Sequence, residues 1–507
     1  MVEATDRKGL LIPKWNLGPV RAIGEVGPMK EFDVIIIGSG AGMNVGANAL
    51  AKGLQVAVVD HGPMGGTCLN NGCIPSKVLL YPAEVIRRMQ DAASIGLEAK
   101  VSKVDFGLIM KRMRTFVDEG REEIEHGISH TENIMWYKGT GEFVDDHTVK
   151  VGNEVFKAPK IIIASGSRAL VPKIEGLGET GFLDNISVLN ITKLPKSIVF
   201  IGGGYIACEY GNFFSALGAQ VTVLDRNPRL LKDEEPEISE IFQRRFGKHV
   251  KIFTDVEVIK AEKKGWSKAV YARQSGTGKV LKFTTDEIMV AAGRISNADL
   301  LKPERTGVET DKNGWIKVNE YLETTKEGIW ALGDATGKHM FRHNANHEAD
   351  VVWSNAFTDK RVPVDHHAVP HAAFGYPEVA SVGMTEAEAK AAGFQLLVGR
   401  ASYKDVTKGY AMNEEDSLVK VVVDRATRKI LGCHIVGTDA SVLIHPVIYL
   451  MNAGDQTYIP LAKSQTIHPA LNEAVIHAFA NMVPPEHVHH HHEEGAEATE
   501  DPTNEHQ

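Results

Sequence analysis

Residues 33–60, DVIIIGSGAGMNVGANALAKGLQVAVVD, contain an apolar strand, a glycine-rich turn, a helix of small residues and a second apolar strand that ends in Asp60. This order predicts a βαβ unit that binds a dinucleotide, with the pyrophosphate at the helix N-terminus. Asp60 is placed to bind a ribose hydroxyl. Met43 stands where such turns usually have their third glycine, so we expect helix and strand to lie slightly further apart there. The glycines of the turn are Gly38, Gly40 and Gly42.

A second unit with the same order occupies residues 197–225, SIVFIGGGYIACEYGNFFSALGAQVTVLD, with Gly202 and Gly204 in its turn. Its second strand ends in Asp225, which is followed by Arg226. An acid at this place binds the ribose diol of NAD and repels the extra phosphate of NADP, whereas a neighbouring cation attracts that phosphate. We expect NAD because Asp225 occupies the strand end, and NADP stays open as the alternative.

The repeat predicts an α/β protein with two Rossmann-like dinucleotide-binding domains. After Pro363 the runs SLVKVVVD (417–424) and KILGCHIVG (429–437) indicate antiparallel strands, and hence a C-terminal α+β domain. The predicted organisation is an N-terminal extension at 1–30, the first domain at 31–190 and 291–364, the second domain at 191–290, the third domain at 365–484 and a tail at 485–507.

Composition and charge exclude several classes of protein. The chain has 507 residues, four cysteines and a formal net charge of −9, which argues against a disulfide-rich scaffold and a nucleic-acid-binding protein. No apolar run approaches the roughly 18 residues of a membrane-spanning helix, and the first residues lack the apolar core of a secretory signal. We therefore expect a cytoplasmic protein. The acidic, histidine-rich tail is predicted to be disordered, with metal storage as the alternative.

The segment GGTCLNNGCIPSK (65–77) places Cys68 and Cys73 five residues apart. A regular helix would separate them by roughly 7.5 Å along its axis, whereas a disulfide needs Cα atoms roughly 4.4–6.8 Å apart. A bridge therefore requires an irregular turn, which the glycines and asparagines permit. Without an export signal, such a pair is more often catalytic than structural, and metal binding is the alternative. A helix that begins after Cys73 would lower the pKa of a thiol.

The segment HPALNE (468–473) is the candidate source of a base. Pro469 suits the first helical position, and Glu473 can reach back to orient the imidazole of His468 and raise its basicity. In isolation His468 would be a surface histidine, but thiol–disulfide chemistry needs a proton carrier near neutral pH. Cys208 and Cys433 fit buried packing positions, and we assign no metal site.

The residues resemble those of the flavin-dependent pyridine nucleotide–disulfide oxidoreductases over about residues 31–480. Five segments occur in that family's order: GGTCLNNGCIPSK, GGGYIACE, IWALGDAT, VPHAAFGYPEVASVGMTEAEA and HPALNE. CIPSK is typical of dihydrolipoamide dehydrogenase, whereas GRISNADLL (293–301) and HNANHEADVV (343–352) look more like mycothione reductase. The mercuric reductase pattern is weaker, because no cysteine follows Cys433.

The resemblance implies a homodimer that binds FAD and NAD(P). It also implies that Cys68 and Cys73 form a redox-active disulfide, with Cys73 against the flavin and Cys68 as the interchange thiol. His468, held by Glu473, would move the proton, and this dyad would approach the disulfide of the other subunit across a twofold dimer. An ion pair beside the flavin (Lys77 with Glu209) and a tyrosine over the nicotinamide pocket (Tyr205) are further implied. The FAD-binding residues would be Gly38, Gly40, Gly42, Asp60, Gly66, Thr67, Lys77, Gly166 and Asp334. The NAD(P)-binding residues would be Gly202, Gly204, Tyr205, Asp225, Arg226 and Gly293.

The implied activity is dithiol–disulfide exchange with NAD(P)(H), and we expect dihydrolipoamide dehydrogenase first. Reduction of a small disulfide with NADPH, as in mycothione or glutathione reductase, is the main alternative. A mercuric reductase and a non-catalytic flavoprotein are weaker ones. The expected partner is a small thiol or disulfide, or a lipoyl group on a carrier protein, and neither nucleic acid nor a membrane.

Overall fold

The computed structural model describes residues 29–485. The predicted acidic tail from residue 486 onward and residues 1–28 of the predicted extension lie outside this range. Within the described range, every helix falls short of the length and apolar character that a bilayer-spanning segment requires.

Mostly short strands and helices make up the described range. The strands are β1 Lys30–Glu31, β2 Val34–Ile37, β3 Val56–Asp60, β4 Ile134–Lys138, β5 Glu142–Asp145, β6 Thr148–Val151, β7 Glu154–Lys157, β8 Lys160–Ile163, β9 Ser167–Ala169, β10 Ser197–Ile201, β11 Gln220–Leu224, β12 Lys251–Phe253, β13 Val256–Lys264, β14 Ser267–Gln274, β15 Val280–Thr285, β16 Glu287–Val290, β17 Arg294–Ser296, β18 Ile329–Ala331, β19 Pro370–Ala373, β20 Glu378–Gly383, β21 Leu396–Ala401, β22 Leu418–Asp424 and β23 Ile430–Gly437. The α-helices are α1 Gly42–Ala51, α2 Gly66–Asn71, α3 Cys73–Asp91, α4 Phe106–Ser129, α5 Leu177–Thr180, α6 Tyr205–Ala216, α7 Pro236–Phe246, α8 Ala298–Leu301, α9 Arg342–Phe357, α10 Glu386–Ala391, α11 Thr407–Ala411, α12 Ala440–Leu443, α13 His445–Met451, α14 Ile459–Lys463 and α15 Glu473–Ala480.

The first βαβ unit lies in a parallel sheet of strand order β18-β8-β2-β3-β4. All four residues of β2 are buried, because α1 and α9 cover one face of the sheet and the small β1-β7-β6-β5 sheet covers the other. A strand buried on both faces has to be continuously apolar, as VIII is. Because β2 and β3 run parallel, their carboxyl ends lie at the same edge of the sheet, where ligands bind in such sheets.

The expected wider spacing at Met43 is wrong. A Cβ built on Gly42 would lie 2.8 Å from Cβ of Ala164 and 2.9 Å from Cγ2 of Ile36. One built on Gly46 would lie 2.9 Å from Cδ1 of Ile36. These two glycines let α1 approach β2 closely, so the residue at position 43 does not set the distance.

The second βαβ unit repeats this plan in the parallel sheet β12-β11-β10-β16. Helix α6 packs against one face, with Phe213 and Phe214 in the same apolar cluster as Ile198 and Phe200. The antiparallel sheet β13-β14-β15, which the sequence did not predict, covers the other face. The same helix α6 also contacts α3, and this contact joins the cysteine segment to the second sheet.

The C-terminal unit is the antiparallel sheet β19-β20-β23-β22-β21, as the two apolar runs predicted. Helices α12, α13 and α15 pack on one face of this sheet, while α7 of the preceding unit contacts β20 and β23. The contact brings the N-terminal end of α7 next to the start of the C-terminal unit. The mixed α/β fold with two Rossmann-like units and an α+β unit is thus confirmed.

Candidate redox-active site

Cys68 lies in α2 and Cys73 is the first residue of α3. Gly72 joins the two helices with φ −136° and ψ −115°, and a Cβ at this position would lie 2.9 Å from the carbonyl oxygen of Thr67. The side chain of Asn70 donates to the carbonyl oxygen of Met64 at 2.9 Å, which fixes α2 against the preceding turn. The predicted irregular turn is therefore present. The structure shows both cysteines as free thiols, so their disulfide stays a prediction.

The pKa values of the two thiols are shifted in opposite directions. A hydrogen bond from Cys68 lowers the pKa of Cys73 to about 6; burial and Glu209 oppose the shift, and Lys77 supports it. The pKa of Cys68 is raised, first by its hydrogen bond to Cys73 and then by burial. At neutral pH Cys73 is therefore mainly a thiolate, whereas Cys68 stays a thiol. Cys68 needs an external base before it can act as a nucleophile.

Lys77 and Glu209 form the predicted ion pair. Nζ of Lys77 lies 2.8 Å and 2.9 Å from the two carboxylate oxygens of Glu209. The backbone N–H of Phe374 donates to the same carboxylate at 3.2 Å, and Nζ of Lys77 lies 4.5 Å from the centroid of the Phe374 ring. The pair thus links α3, α6 and the C-terminal unit directly beside Cys73.

A cavity of about 530 Å³ extends from the first glycine-rich turn to the two cysteines. Seven of the predicted FAD-binding residues line it: Gly38, Gly40, Asp60, Gly66, Thr67, Gly166 and Asp334. The other two do not, since Gly42 packs beneath the turn and Lys77 lies behind the cysteine pair with Glu209.

The cavity fits FAD on two observations. Gly38 has φ +107°, and a Cβ there would lie 2.1 Å from the carbonyl oxygen of Ala164, so the backbone itself forms the wall at this turn. The Oγ of Ser165, which lines the cavity, is buried and has no hydrogen-bond partner among the described residues. Exposed backbone at the turn lets a phosphate approach closely, and the unsatisfied hydroxyl can form a hydrogen bond with a polar group of the ligand.

Asp60 has a second role that the sequence did not predict. Its Oδ2 accepts hydrogen bonds from the backbone N–H and the hydroxyl of Ser39 at 2.7 and 2.6 Å, and its Oδ1 accepts from Gly62 at 2.9 Å. The carboxylate therefore braces the glycine-rich turn. The only signal in the sequence for this role of Ser39 is its position inside the glycine-rich turn.

Two arginines of the site were also missed. Arg294 donates to the hydroxyl and the carbonyl oxygen of Ser167 at 2.6 and 2.7 Å, and Ser167 donates to Asp334 at 2.5 Å. Arg342 begins α9 and lines the cavity, with Nη1 3.8 Å from where a Cβ of Gly40 would lie. Both arginines make contacts with segments that are distant in the sequence. The residues next to them in the sequence do not distinguish them from arginines at the surface.

The second glycine-rich turn has a similarly tight geometry. Gly202 has φ +108°, and a Cβ there would lie 2.4 Å from the carbonyl oxygen of Ala291. Asp225 is buried beside Gly203 and accepts hydrogen bonds from Asn227, whereas Arg226 is exposed. The remaining predicted NAD(P) residues sit around this turn. Gly204 precedes α6, Tyr205 begins it, and Gly293, with φ +125°, follows β16.

His468 and Glu473 form the predicted dyad. Nδ1 of His468 lies 2.7 Å from Oε1 of Glu473, and Oε2 of Glu473 accepts from the backbone N–H of Ala470 at 2.9 Å. The hydrogen bond from His468 is the main cause that lowers the pKa of Glu473. The His468 side chain is 73% exposed, and neither residue lines the cavity.

Comparison with known proteins identifies the two parts of the chain. Residues 32–349 match the family model described as pyridine nucleotide-disulphide oxidoreductase, and residues 369–479 match the dimerisation domain of the same family. Mycothione reductase from Mycobacterium tuberculosis is 34% identical over 466 residues, which are 90% of this chain and all of the relative.

Other relatives bear different names at comparable identity. A mercuric reductase from Lysinibacillus sphaericus is 34% identical over 82% of this chain and 76% of its own length. A dihydrolipoyl dehydrogenase from Bacillus subtilis is 32% identical over 88% of this chain and 96% of its own length. Among solved structures, the Cu(II) complex of the HOCl-induced flavoprotein disulfide reductase RclA from Escherichia coli superposes with a TM-score of 0.79 at 27% identity, over 89% of this chain and 99% of RclA. With the fold, the cysteine pair and these matches together, the chain belongs to the pyridine nucleotide–disulphide oxidoreductase family.

Proposed function

We propose that the protein is an FAD-dependent oxidoreductase that exchanges electron pairs between NAD(P)(H) and a dithiol or disulfide through Cys68 and Cys73. The observation that carries this proposal is the pair itself. Two thiols with oppositely shifted pKa values line the wall of a dinucleotide cavity, and the ion pair of Lys77 with Glu209 lies next to them. FAD, when bound, supplies the transfer of the electron pair between the nicotinamide and the sulfurs.

The pair suits one direction of attack. In the oxidised protein a substrate thiolate attacks Sγ of Cys68, the bond between the two protein sulfurs breaks, and Cys73 leaves as a thiolate. A low pKa makes Cys73 the better leaving group. The second substrate thiol loses its proton to His468 of the partner subunit and attacks the mixed disulfide. The first substrate thiol ionises to the attacking thiolate and releases its proton to solvent, and His468 of the partner subunit passes the second proton to the departing Cys68 sulfur. The products are therefore the substrate disulfide, a Cys68 thiol and a Cys73 thiolate, and the two electrons reside on the two protein sulfurs.

The preferred candidate substrate is a dihydrolipoyl group, which the enzyme would oxidise with NAD⁺. The CIPSK segment and the dihydrolipoyl dehydrogenase relative support it. A low-molecular-weight disulfide is the second candidate, because the mycothione reductase relative matches along its whole length and the HNANHEADVV segment resembles that class of enzyme. Asp225 at the strand end favours NAD, and the exposed Arg226 next to it keeps NADP as the alternative.

The test is a substrate panel with the purified FAD-loaded protein. Dihydrolipoamide is offered with NAD⁺ and NADP⁺, and lipoamide, glutathione disulfide and mycothione disulfide are offered with NADH and NADPH. We expect Cys68→Ser to abolish turnover of every disulfide while NAD(P)H still bleaches the flavin. Cys433→Ala, which removes a buried thiol in the C-terminal sheet, serves as the control. Undiminished disulfide turnover in Cys68→Ser would overturn the proposal.

A further inference from the structure

Tyr205 lies directly after the second glycine-rich turn and contacts a residue that lines the large cavity. It is the first residue of α6, and its ring packs edge-to-face on Phe341 with a centroid distance of 6.1 Å and an angle of 84°. Phe341 lines the cavity. On the proposed function, a nicotinamide ring that passes from the second turn into the cavity meets the Tyr205 ring.

A buried carboxylate holds this ring in place. The Tyr205 hydroxyl donates to Oε1 of Glu234 at 2.6 Å, and Glu234, in the loop between β11 and α7, is only 3% exposed. Burial alone would raise the pKa of Glu234, but hydrogen bonds from His371, Ser381 and Tyr205 outweigh it and lower the pKa to about 2. The carboxylate is thus ionised, and the bond from Tyr205 is charge-assisted.

The C-terminal unit fixes the position of this carboxylate independently of Tyr205. Ser381 Oγ donates to Oε2 of Glu234 at 2.5 Å, and Nε2 of His371 lies 3.0 Å from Oε1. His371 on β19 and Ser381 on β20 are directly opposite each other in the antiparallel pair. The His371 ring also stacks on Phe341, with a centroid distance of 5.6 Å and an angle of 10°. Glu234 therefore stays in place when Tyr205 moves.

We propose that Glu234 is a positioning residue that holds Tyr205 closed over the nicotinamide pocket, so that nicotinamide binding has to break the bond between them. The proposal rests on the proposed function for the place where nicotinamide binds. A closed ring lowers the fraction of protein that is competent to bind nicotinamide, and the apparent dissociation constant rises in proportion. Weakening the bond should therefore tighten apparent binding.

The experiment measures flavin bleaching by NADH and NADPH in anaerobic stopped-flow, with no disulfide present. We expect Tyr205→Phe, which keeps the ring and removes the hydroxyl, to lower the saturation constant roughly three- to tenfold. The effect should appear in the saturation constant rather than in the limiting rate. Glu234→Gln should lower the constant in the same direction. The double variant should gain less than the two single effects combined, because both changes remove one bond.

Tyr210→Phe is the matched control, since Tyr210 is buried in the same helix outside this network. An unchanged saturation constant in Tyr205→Phe would overturn the proposal, as would a flavin that neither nicotinamide bleaches. If Glu234→Gln does not fold, Tyr205→Phe alone decides, because it leaves the carboxylate and its other two bonds intact. Lost disulfide turnover with the shift in the constant intact would remove the proposed function and leave the role of Glu234 standing.

Discussion

Lys77 donates to both carboxylate oxygens of Glu209, at 2.8 and 2.9 Å, one helical turn after Cys73. The two charges act on the Cys73 thiol in opposite senses, since Lys77 lowers its pKa and Glu209 raises it. Glu209 comes from α6 and is buried, whereas Lys77 is partly exposed. The ion pair therefore adjusts the acidity of Cys73 through the balance of its two members, in addition to the larger effects of the Cys68 hydrogen bond and of burial.

The first prediction separates these two effects. The pKa of Cys73 is about 6, so its thiolate predominates above that pH and is lost as the pH falls through 6. Lys77→Met should move this midpoint up by about one unit, and Glu209→Gln should move it down. The measurement is the alkylation rate of Cys73 in the reduced protein against pH, resolved by peptide mass spectrometry. Arg88→Met, a surface change on the same helix, is the control. Midpoints that move in the same direction for both variants would contradict the opposing effects of Lys77 and Glu209 on the pKa of Cys73.

The second prediction concerns the proton carrier. His468→Ala should lower the turnover of dithiol or disulfide by roughly 100- to 10,000-fold, because Cys68 and the substrate thiol lose their base. Flavin bleaching by NAD(P)H should persist. Glu473→Ala should have a smaller effect, since it removes only the group that orients the imidazole. Steady-state and single-turnover rates test this, with His445→Ala at an exposed position in α13 as the control. An equal loss in bleaching would show that His468 acts elsewhere.

The third prediction tests whether the dyad acts across a dimer. Co-expressed Cys68→Ser and His468→Ala subunits should regain about a quarter of the parent activity, because half of the random dimers hold one intact site of two. The intact site would pair Cys68 of one subunit with His468 of the other. Separately expressed variants are the controls. Co-expression without any recovery, in dimers shown by mass to be mixed, would place the dyad and the cysteines in one subunit.

The fourth prediction concerns the nicotinamide cofactor. Asp225→Ala should raise the preference for NADP over NAD relative to the parent, because a negative charge at the end of β11 is removed. Arg226→Ala should shift the preference the other way, since the exposed guanidinium next to it is lost. The ratio of kcat/KM values for NADH and NADPH in the same acceptor assay measures both. An unchanged ratio in Asp225→Ala would show that this carboxylate serves only the turn that it packs against.

Local signals were enough to predict both βαβ units. The turns at Gly38 and Gly202 have positive φ angles that glycine adopts without strain, and the apolar strands around them are buried on both faces. The irregular turn between Cys68 and Cys73 was predicted in the same way, because a disulfide needs its two Cα atoms closer together than a regular helix would place them. In each case the physical constraint lies within a few residues of the sequence.

Features that depend on distant segments could not be predicted. Arg294 contacts Ser167, 127 positions earlier, and Tyr205 meets Glu234 only because the loop before α7 folds back over α6. The β13–β15 sheet was missed because its alternating strands carry many charged residues, such as VEVIKAEKK, and present only one face to the apolar cluster. The spacing at Met43 was wrong for a related reason, since Gly42 and Gly46 decide how closely the helix packs.

The last prediction concerns the contact between α7 and the C-terminal sheet. Lys420 on β22 is 1% exposed, and its Nζ lies 2.7, 2.6 and 2.7 Å from carboxylate oxygens of Glu235, Glu237 and Glu386. Lys420→Met would leave Glu237 and Glu386 paired with Arg400, and Glu235 without an ion-pair partner among the described residues. We expect the free energy of unfolding to fall by about 3–5 kcal/mol, because a buried charge is left without its partner. Urea denaturation followed by far-ultraviolet circular dichroism measures this, with Lys404→Met at an exposed position as the control.

The pH dependence gives the same cluster a second signature. Burial raises the pKa of Glu237, but hydrogen bonds from Arg400 and Lys420 outweigh it and lower the pKa to about 2, below the ordinary value of 4.5. A carboxyl with a depressed pKa in the folded state contributes stability that is fully present above about pH 4.5 and is lost as the pH falls toward 2. In Lys420→Met this pKa should rise, so stability should depend less steeply on pH in that window. A variant with unchanged stability at pH 7 and an unchanged acid slope would show that Lys420 does not hold α7 against the C-terminal sheet.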